Sequence, residues 1–431
     1  MLNNWIVIRR KYFMQLKTNI VGLFLISVFI GCGLFESNDN DSASDKVYVA
    51  LQGLDQVAIV DLETGGKEAI DISYEFSDCS GLDSGECLET SGCMWMASHS
   101  HCMAGDSHEP HFIAIDEINR YWFVTTIMTG WVGRYNLDTN ELIDKIMVGD
   151  FPALMVLDKD SQKLYVSRMM TMEMSAGSMG ATTTFIQEIN YTDPETMILD
   201  DSHIIGSPAP HGIAINSDES EVYTTSYEGD WLFKIMLQSN AIENTPLEIG
   251  YSQDKSYPLK RLKPVQCVSV QDSLLLISCE AGNWSSTGTN WESISGQIQL
   301  WNTNTMMRID TLQFNVESRP WHIINSPNTN RVYVALKGQF EYEDNLDSDG
   351  VACISYDENS MDLKWIKHSD EFKMLHGIDI SVDGEKLYVS GRIDGKLHVL
   401  NAQDGEVLQS IYLGPETASK PSGVTYYSGS N

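Results

Sequence analysis

Basic residues are scarce in this chain. It carries 28 Lys and Arg against 60 Asp and Glu, a formal charge of −32. A surface so acidic repels nucleic acid and anionic lipid headgroups. It suits cations, a basic partner, or simple solubility. No apolar run reaches the roughly 20 residues that cross a bilayer; the stretch at 20–30 stops short. There is no nucleophile elbow, phosphate loop, dinucleotide fingerprint or c-type haem motif. The cysteines also lack the paired CxxC knuckles of a zinc ribbon.

What is present is a repeat. Pro110, Pro152, Pro210, Pro264 and Pro320 are followed, 12 or 13 residues later, by Phe123, Tyr165, Tyr223, Leu276 and Tyr333, and Leu375 precedes Tyr388 in the same way. Such self-similarity decides architecture before any local reading does. In one copy, His376-Gly377-Ile378-Asp379-Ile380 predicts a first strand, Asp383-Gly384 its turn, and Leu387-Tyr388-Val389-Ser390 a second strand. Leu397–Leu400 predicts a third and 407–411 a fourth. A four-stranded antiparallel meander of about 40 residues is a propeller blade. The second-strand signature recurs as Val47-Tyr48-Val49-Ala50, Trp122-Phe123-Val124-Thr125, Leu164-Tyr165-Val166-Ser167, Leu275-Leu276-Ile277-Ser278 and others.

The first copy starts at its second strand, and the missing first strand lies at the other end, as Pro421-Ser422-Gly423-Val424-Thr425-Tyr426. A ring closed in this way leaves no open sheet edge. The expected fold is therefore all-β, a seven-bladed β-propeller over 46–427 closed by the C-terminal strand. These copies resemble the YVTN-type β-propeller repeats of bacterial surface and periplasmic proteins. The resemblance implies the fold; the family is functionally diverse and implies no activity.

Arg9, Arg10, Lys11 and Lys17 precede the apolar run, which ends at Gly31-Cys32. This reads as a signal peptide over 1–32, with Met14 an alternative start. Its end resembles the bacterial lipoprotein box, which implies lipidation of Cys32. Residues 33–45, with the run ESNDNDSASD, read as an acidic, polar tether. The expectation is a monomeric domain leashed by lipid to a membrane, in the periplasm or at the cell surface. Disulfides persist there. Cys79, Cys87, Cys93 and Cys102 predict two bridges with three possible connectivities, within an insertion over 74–109 that loosely resembles a small PSI-type knob. Cys267 and Cys279, flanking a hairpin, are a third candidate pair.

In a meander the loop entering the first strand and the loop between second and third strands share one face. The insertions fall on those loops: 74–109, the methionine-rich 168–184, 280–295 with Trp284 and Trp291, and 337–350 with Phe340, Tyr342, Asp344, Asp347 and Asp349. Function concentrates on such loops, so this elaborated face is the candidate surface, with the aromatics suited to a protein partner. The acidic stretch is a weaker candidate for calcium, lacking the EF-hand order.

His111, His211 and His376 follow the proline slot of blades two, four and seven, and in-register side chains point alike, toward the channel mouth. His322 stands one residue later, where alternation aims it elsewhere. With His99, His101 and His108, Met94, Met96 and Met103, and Met169, Met170, Met172, Met174 and Met179 nearby, the set is of the kind copper prefers. Histidines that serve only to tie blades together are the plainer alternative. Too few histidines are in register, and no copper domain follows, for a nitrous oxide reductase; no acid–base set of a lactonase can be placed. The function expected is a binding module for a protein partner, a soft metal ion, or both. The alternative is a periplasmic copper-dependent oxidoreductase with the three histidines as axial ligands.

Overall fold

Inner strands beginning at Pro110, Pro152, Pro210, Pro264, Pro320, Leu375 and Pro421 pack side by side as a closed ring. A computed structural model describes residues 44–75, 78–90, 93–96, 101–104, 107–149, 151–169, 185–248, 262–271, 273–281, 295–315, 317–338 and 348–429. Each inner strand opens a four-stranded antiparallel sheet, and there are seven such sheets. The sequence expectation of a seven-bladed propeller is met.

Closure takes the expected form. Pro421–Tyr427 pairs antiparallel with Lys46–Leu51, setting Thr425 opposite Tyr48 and Val424 opposite Val49. Asp45 ties the two ends together, accepting hydrogen bonds from Tyr426 Oη at 2.7 Å and from the Gly429 amide at 3.1 Å. The last residues of the expected tether thus belong to the folded domain.

The apolar core is not one mass. Within the propeller it divides into seven clusters, each built from two neighbouring blades, including one joining blade seven to blade one, and an eighth holds the cysteine insertion together. The second-strand aromatics explain this. Tyr48, Phe123, Tyr165, Tyr223, Tyr333 and Tyr388 are among the largest fully buried side chains, and burying each stabilises the ring by about 1.5–3 kcal/mol. Fourth strands such as Lys67–Asp71 and Ile198–Ile204 are mostly exposed and rich in charge, which blunts the outer edges against pairing with other chains.

Two recurrent devices fix the end of the channel where the inner strands begin. The residue before each proline slot is left-handed: Lys420, Glu109, Phe151, Ala209, Lys263, Arg319 and Met374 all have φ between 46° and 58°. Its carbonyl accepts the amide of the residue four beyond the second-strand aromatic: Gln52, Ile127, Met169, Tyr227, Glu280, Lys337 and Arg392 respectively. Left-handed non-glycine residues cost energy and persist where surroundings over-determine them; here the repeated hydrogen bond does so. The second device is a hydroxyl. Thr125, Ser167, Ser278 and Ser390, two beyond the aromatic, donate to the carbonyls of Ala153, His211, Trp321 and Ser422 in the next blade. Side chains at the mouth are thereby held on a stiff backbone.

The insertion before blade two holds a short helix, Ser84–Glu89, and a two-stranded sheet of Cys93–Met96 and His101–Ala104. Asp83 and Glu86 form a capping box at the helix start. The disulfides are Cys79–Cys93 and Cys87–Cys102. The pair expected at Cys267 and Cys279 is not formed: both thiols are free and buried. Cys267 faces Ile277 and Cys279 faces Pro264 across the ladder, so the two sit two residues out of register.

Candidate functional site at the channel mouth

Four imidazoles meet where the inner strands begin. The ring centres of His111 and His211 lie 6.3 Å apart, His111 and His376 5.5 Å, His111 and His322 6.4 Å, and His322 and His376 4.9 Å. The three in-register histidines do converge although their blades are not adjacent. The placement of His322 corrects the sequence expectation. A β-bulge between Pro320 and Ile323, like those after Pro110 and Leu375, breaks the alternation, and in blade six Trp321 and His322 both reach the cluster; Trp321 lies 5.3 Å from His376 and 6.1 Å from His211.

Close approach of the inner strands depends on glycine. A Cβ at Gly377 would come within 2.1 Å of the Ser422 carbonyl oxygen, and one at Gly423 within 2.5 Å of that of His111.

All four imidazoles are buried, with at most 4% of their surface exposed. Burial pulls their basicity down, His211 to about 4 and His322 to about 3, with His111 and His376 also well below normal. The neighbouring imidazoles, then Arg392 at His111 and His376 and Lys337 at His211, His322 and His376, add to the effect. The cluster is neutral at physiological pH. His111 Nε2, His211 Nε2, His322 Nε2, His376 Nδ1 and Trp321 Nε1 are all buried without a hydrogen-bond partner among the described residues. Leaving a single such group unpaired costs about 1–3 kcal/mol. Five of the described residues' unpaired buried polar atoms belong to this one ring cluster.

Tautomers follow from the partners. His211 Nδ1 lies 2.5 Å from the Val265 carbonyl, to which it donates, so its Nε2 presents a lone pair. Gln52 accepts from Arg392 through Oε1 and donates through Nε2 to His111 Nδ1 at 2.7 Å. His111 therefore carries its proton on Nε2. This does not suit a metal at His111 Nε2, which needs a bare nitrogen. Among the described residues, the only three His, Cys, Asp or Glu with ligand atoms within 4.8 Å of one another are Cys79, Cys93 and Cys102, all held in disulfides. A metal at the histidines would require the rings to draw closer.

Charged residues surround the imidazoles. Lys337 Nζ sits 3.8 Å from the centre of the Trp321 ring and 3.3 Å from Glu280 Oε1. Glu280 also pairs with Arg319 and accepts from Tyr227 Oη at 2.6 Å. Burial, then repulsion from Arg319, Arg392 and Lys263, pushes the Lys337 ammonium well below its usual range.

None of these rim residues was singled out from sequence, Glu280 and Lys337 entering only as loop boundaries. The signal existed: each stands four after the second-strand aromatic or one before the proline slot. Met169, a metal candidate, occupies the rim position of blade three, packed against apolar residues of blades three and four. His108 is used by the fold, with Nδ1 at 2.9 Å from Thr129 Oγ1 and Nε2 at 3.1 Å from the Tyr74 carbonyl. Asp349 lies in a strand and accepts the Met374 amide at 3.1 Å; burial raises its carboxyl to about 7. Cys32, Met170, Met172, Met174, Met179, Trp284, Trp291, Phe340, Tyr342, Asp344 and Asp347 lie outside the described residues.

No protein-family model and no curated protein sequence matches the chain. Solved structures do resemble it. The periplasmic gluconolactonase PpgL of Pseudomonas aeruginosa superposes with a TM-score of 0.57 at 13% identity, over 89% of this chain and 98% of that one. Hydrazine synthase of Kuenenia stuttgartiensis gives 0.57 at 12%, over 76% and 97%. The dihydro-heme d1 dehydrogenase NirN gives 0.51 at 11%, over 89% and 75%. At such identities the likeness establishes the propeller fold alone.

Proposed function

We propose that the protein is an exported, lipid-anchored propeller that binds a small ligand at the histidine-lined mouth of its central channel. The observation that carries this reading is the convergence of five buried, unpartnered ring nitrogens from blades two, four, six and seven. Export is supported by the basic, then apolar leader ending in Gly31-Cys32, by two disulfides, and by the periplasmic gluconolactonase among the similar structures. The lipidated residue is Cys32. The segments that hold Trp284, Trp291, Phe340 and Tyr342 remain, from the sequence, the proposed surface for a protein partner.

A second reading, a copper-holding mouth, draws on the bare Nε2 of His211 and on Met169 at the rim. It requires Gln52 to turn its amide so that His111 can release the Nε2 proton.

Long-range proton–nitrogen spectra of the full folded domain test the site. Gluconate, inorganic phosphate and Cu(I) are titrated separately. At least one probe is expected to shift the His111, His211, His322 and His376 signals while leaving His203 and His398, which pair with Glu188 and Asp394, in place. Stoichiometric copper lost in His211→Ala favours the second reading. Silence of the four mouth signals toward all three probes overturns the assignment.

A further inference from the structure

The rim has the wrong sign for this protein. Fourteen positions, one before each proline slot and one four beyond each second-strand aromatic, frame the mouth. They hold five cations (Lys263, Arg319, Lys337, Arg392, Lys420) and two carboxylates (Glu109, Glu280), in a chain of net charge −32. The cations are not spread evenly. Lys263, Arg319, Lys337 and Arg392 come from blades five to seven, and the last three are largely buried and destabilised as ions. Mutual repulsion adds to that burden at Lys337.

Glu280 answers Arg319 and Lys337 together. Arg392 has a neutral partner, the Gln52 carbonyl oxygen, with Glu109 acting on it only at longer range. A largely buried cation such as Arg392, held by a neutral partner, is costly unless a counter-charge joins it. The fixed Nε2–H of His111 adds a neutral donor, and Trp321 Nε1 a second. Both are donors only, and both rings lie against His376, at 5.5 Å for His111 and 5.3 Å for Trp321.

We propose that Lys337, Arg392 and the Nε2–H of His111 form a binding site for a small oxyanion, the carboxylate or phosphate group of a compact solute. The lone pair of His211 Nε2, across the cluster from His111, accepts a hydroxyl of the same solute. This rests on the reading of the mouth as a ligand site and names the ligand's chemistry. A planar guanidinium beside a compact ammonium suits either a carboxylate or a phosphate, and the probes separate the two.

Calorimetry on the full folded domain in low chloride uses gluconate, inorganic phosphate and glucose. One anion is expected to bind once per chain, with glucose silent. Binding to gluconate but not phosphate assigns a carboxylate; the reverse assigns a phosphate. Lys337→Met and Arg392→Gln are each expected to weaken the anion at least 10-fold, whereas Arg120→Gln, at a pair with Asp138 away from the mouth, leaves it unchanged. Lys337→Met is also expected to raise the melting temperature without anion, because it relieves the crowding; a merely structural lysine would lower it. Anion binding untouched by both rim variants overturns the proposal, as does Cu(I) binding at the histidines with no anion bound. In that last case the mouth remains a ligand site and only its chemistry is wrong. If no probe binds, both readings fall.

Discussion

Gln52 bridges Arg392 and His111, accepting from the guanidinium and donating to the imidazole at 2.7 Å. One amide from blade one thus sets the tautomer of a histidine in blade two under the influence of a cation in blade seven. Replacing it with Leu removes both contacts and leaves His111 Nδ1 without its donor. We expect Gln52→Leu to cost about 1–3 kcal/mol in denaturant unfolding. The same variant should change the nitrogen shifts of His111 in long-range spectra, while those of His203 stay put. An unaltered His111 pattern would disprove the relay.

Acid should weaken the ring through its histidines. The unfolded chain takes up protons near pH 6.5, whereas His211 in the fold waits until about 4 and His322 until about 3. Their contribution is complete above about pH 6.5 and drains as pH falls toward those values. For His211 alone this is on the order of 3 kcal/mol. Asp349 and Asp379, raised to about 7 and 6, act in the opposite sense, so a single curve would mix the two. His211→Phe against the parent protein isolates the effect: the loss of melting temperature from pH 6.5 to 4 should be shallower in the variant. Parallel curves would contradict a neutral buried His211.

The thiols should fall into two groups. Peptide mapping without reduction should recover Cys79–Cys93 and Cys87–Cys102. Cys267 and Cys279, whose burial pushes both thiols far up, should resist a thiol reagent until the propeller unfolds. Gentle reduction should loosen the segment around Ser84–Glu89 but shift the main melting transition by only a few degrees, since no disulfide crosses the ring. Rapid labelling of Cys267 in the native protein would refute its placement.

Removing 421–431 deletes the inner strand of blade one and exposes the edge of Lys46–Leu51. Because that strand also packs on blades two and seven, we expect loss of cooperative unfolding and self-association on a sizing column. A truncated chain that stays monomeric with an unchanged melting temperature would contradict closure by the tail.

The architecture was legible in the spacing, because six copies carry the proline slot 12 or 13 residues before the second-strand position, five of them with an aromatic there. The convergence of His111, His211 and His376 was legible for the same reason. His322 was not, because a bulge opens every inner strand and overrides the alternation from which its direction was read. The charged rim was missed for a different reason. Residues such as Lys337 and Arg392 appear, one at a time, to be ordinary loop charges after a strand. Only their common position four beyond Tyr333 and Tyr388 shows that they share a ring. Cys267 and Cys279 misled because a hairpin suggests facing residues, and the ladder sets them two apart.

At the seven rim positions the repeated hydrogen bond is made by the main-chain amide, so that bond itself places no demand on which side chain stands there. Glutamine, isoleucine, methionine, tyrosine, glutamate, lysine and arginine all occupy the equivalent place in this one molecule. The molecule is thus a natural display frame. Its selectivity can be rewritten one blade at a time, at positions whose shared bond any residue with a main-chain amide can make.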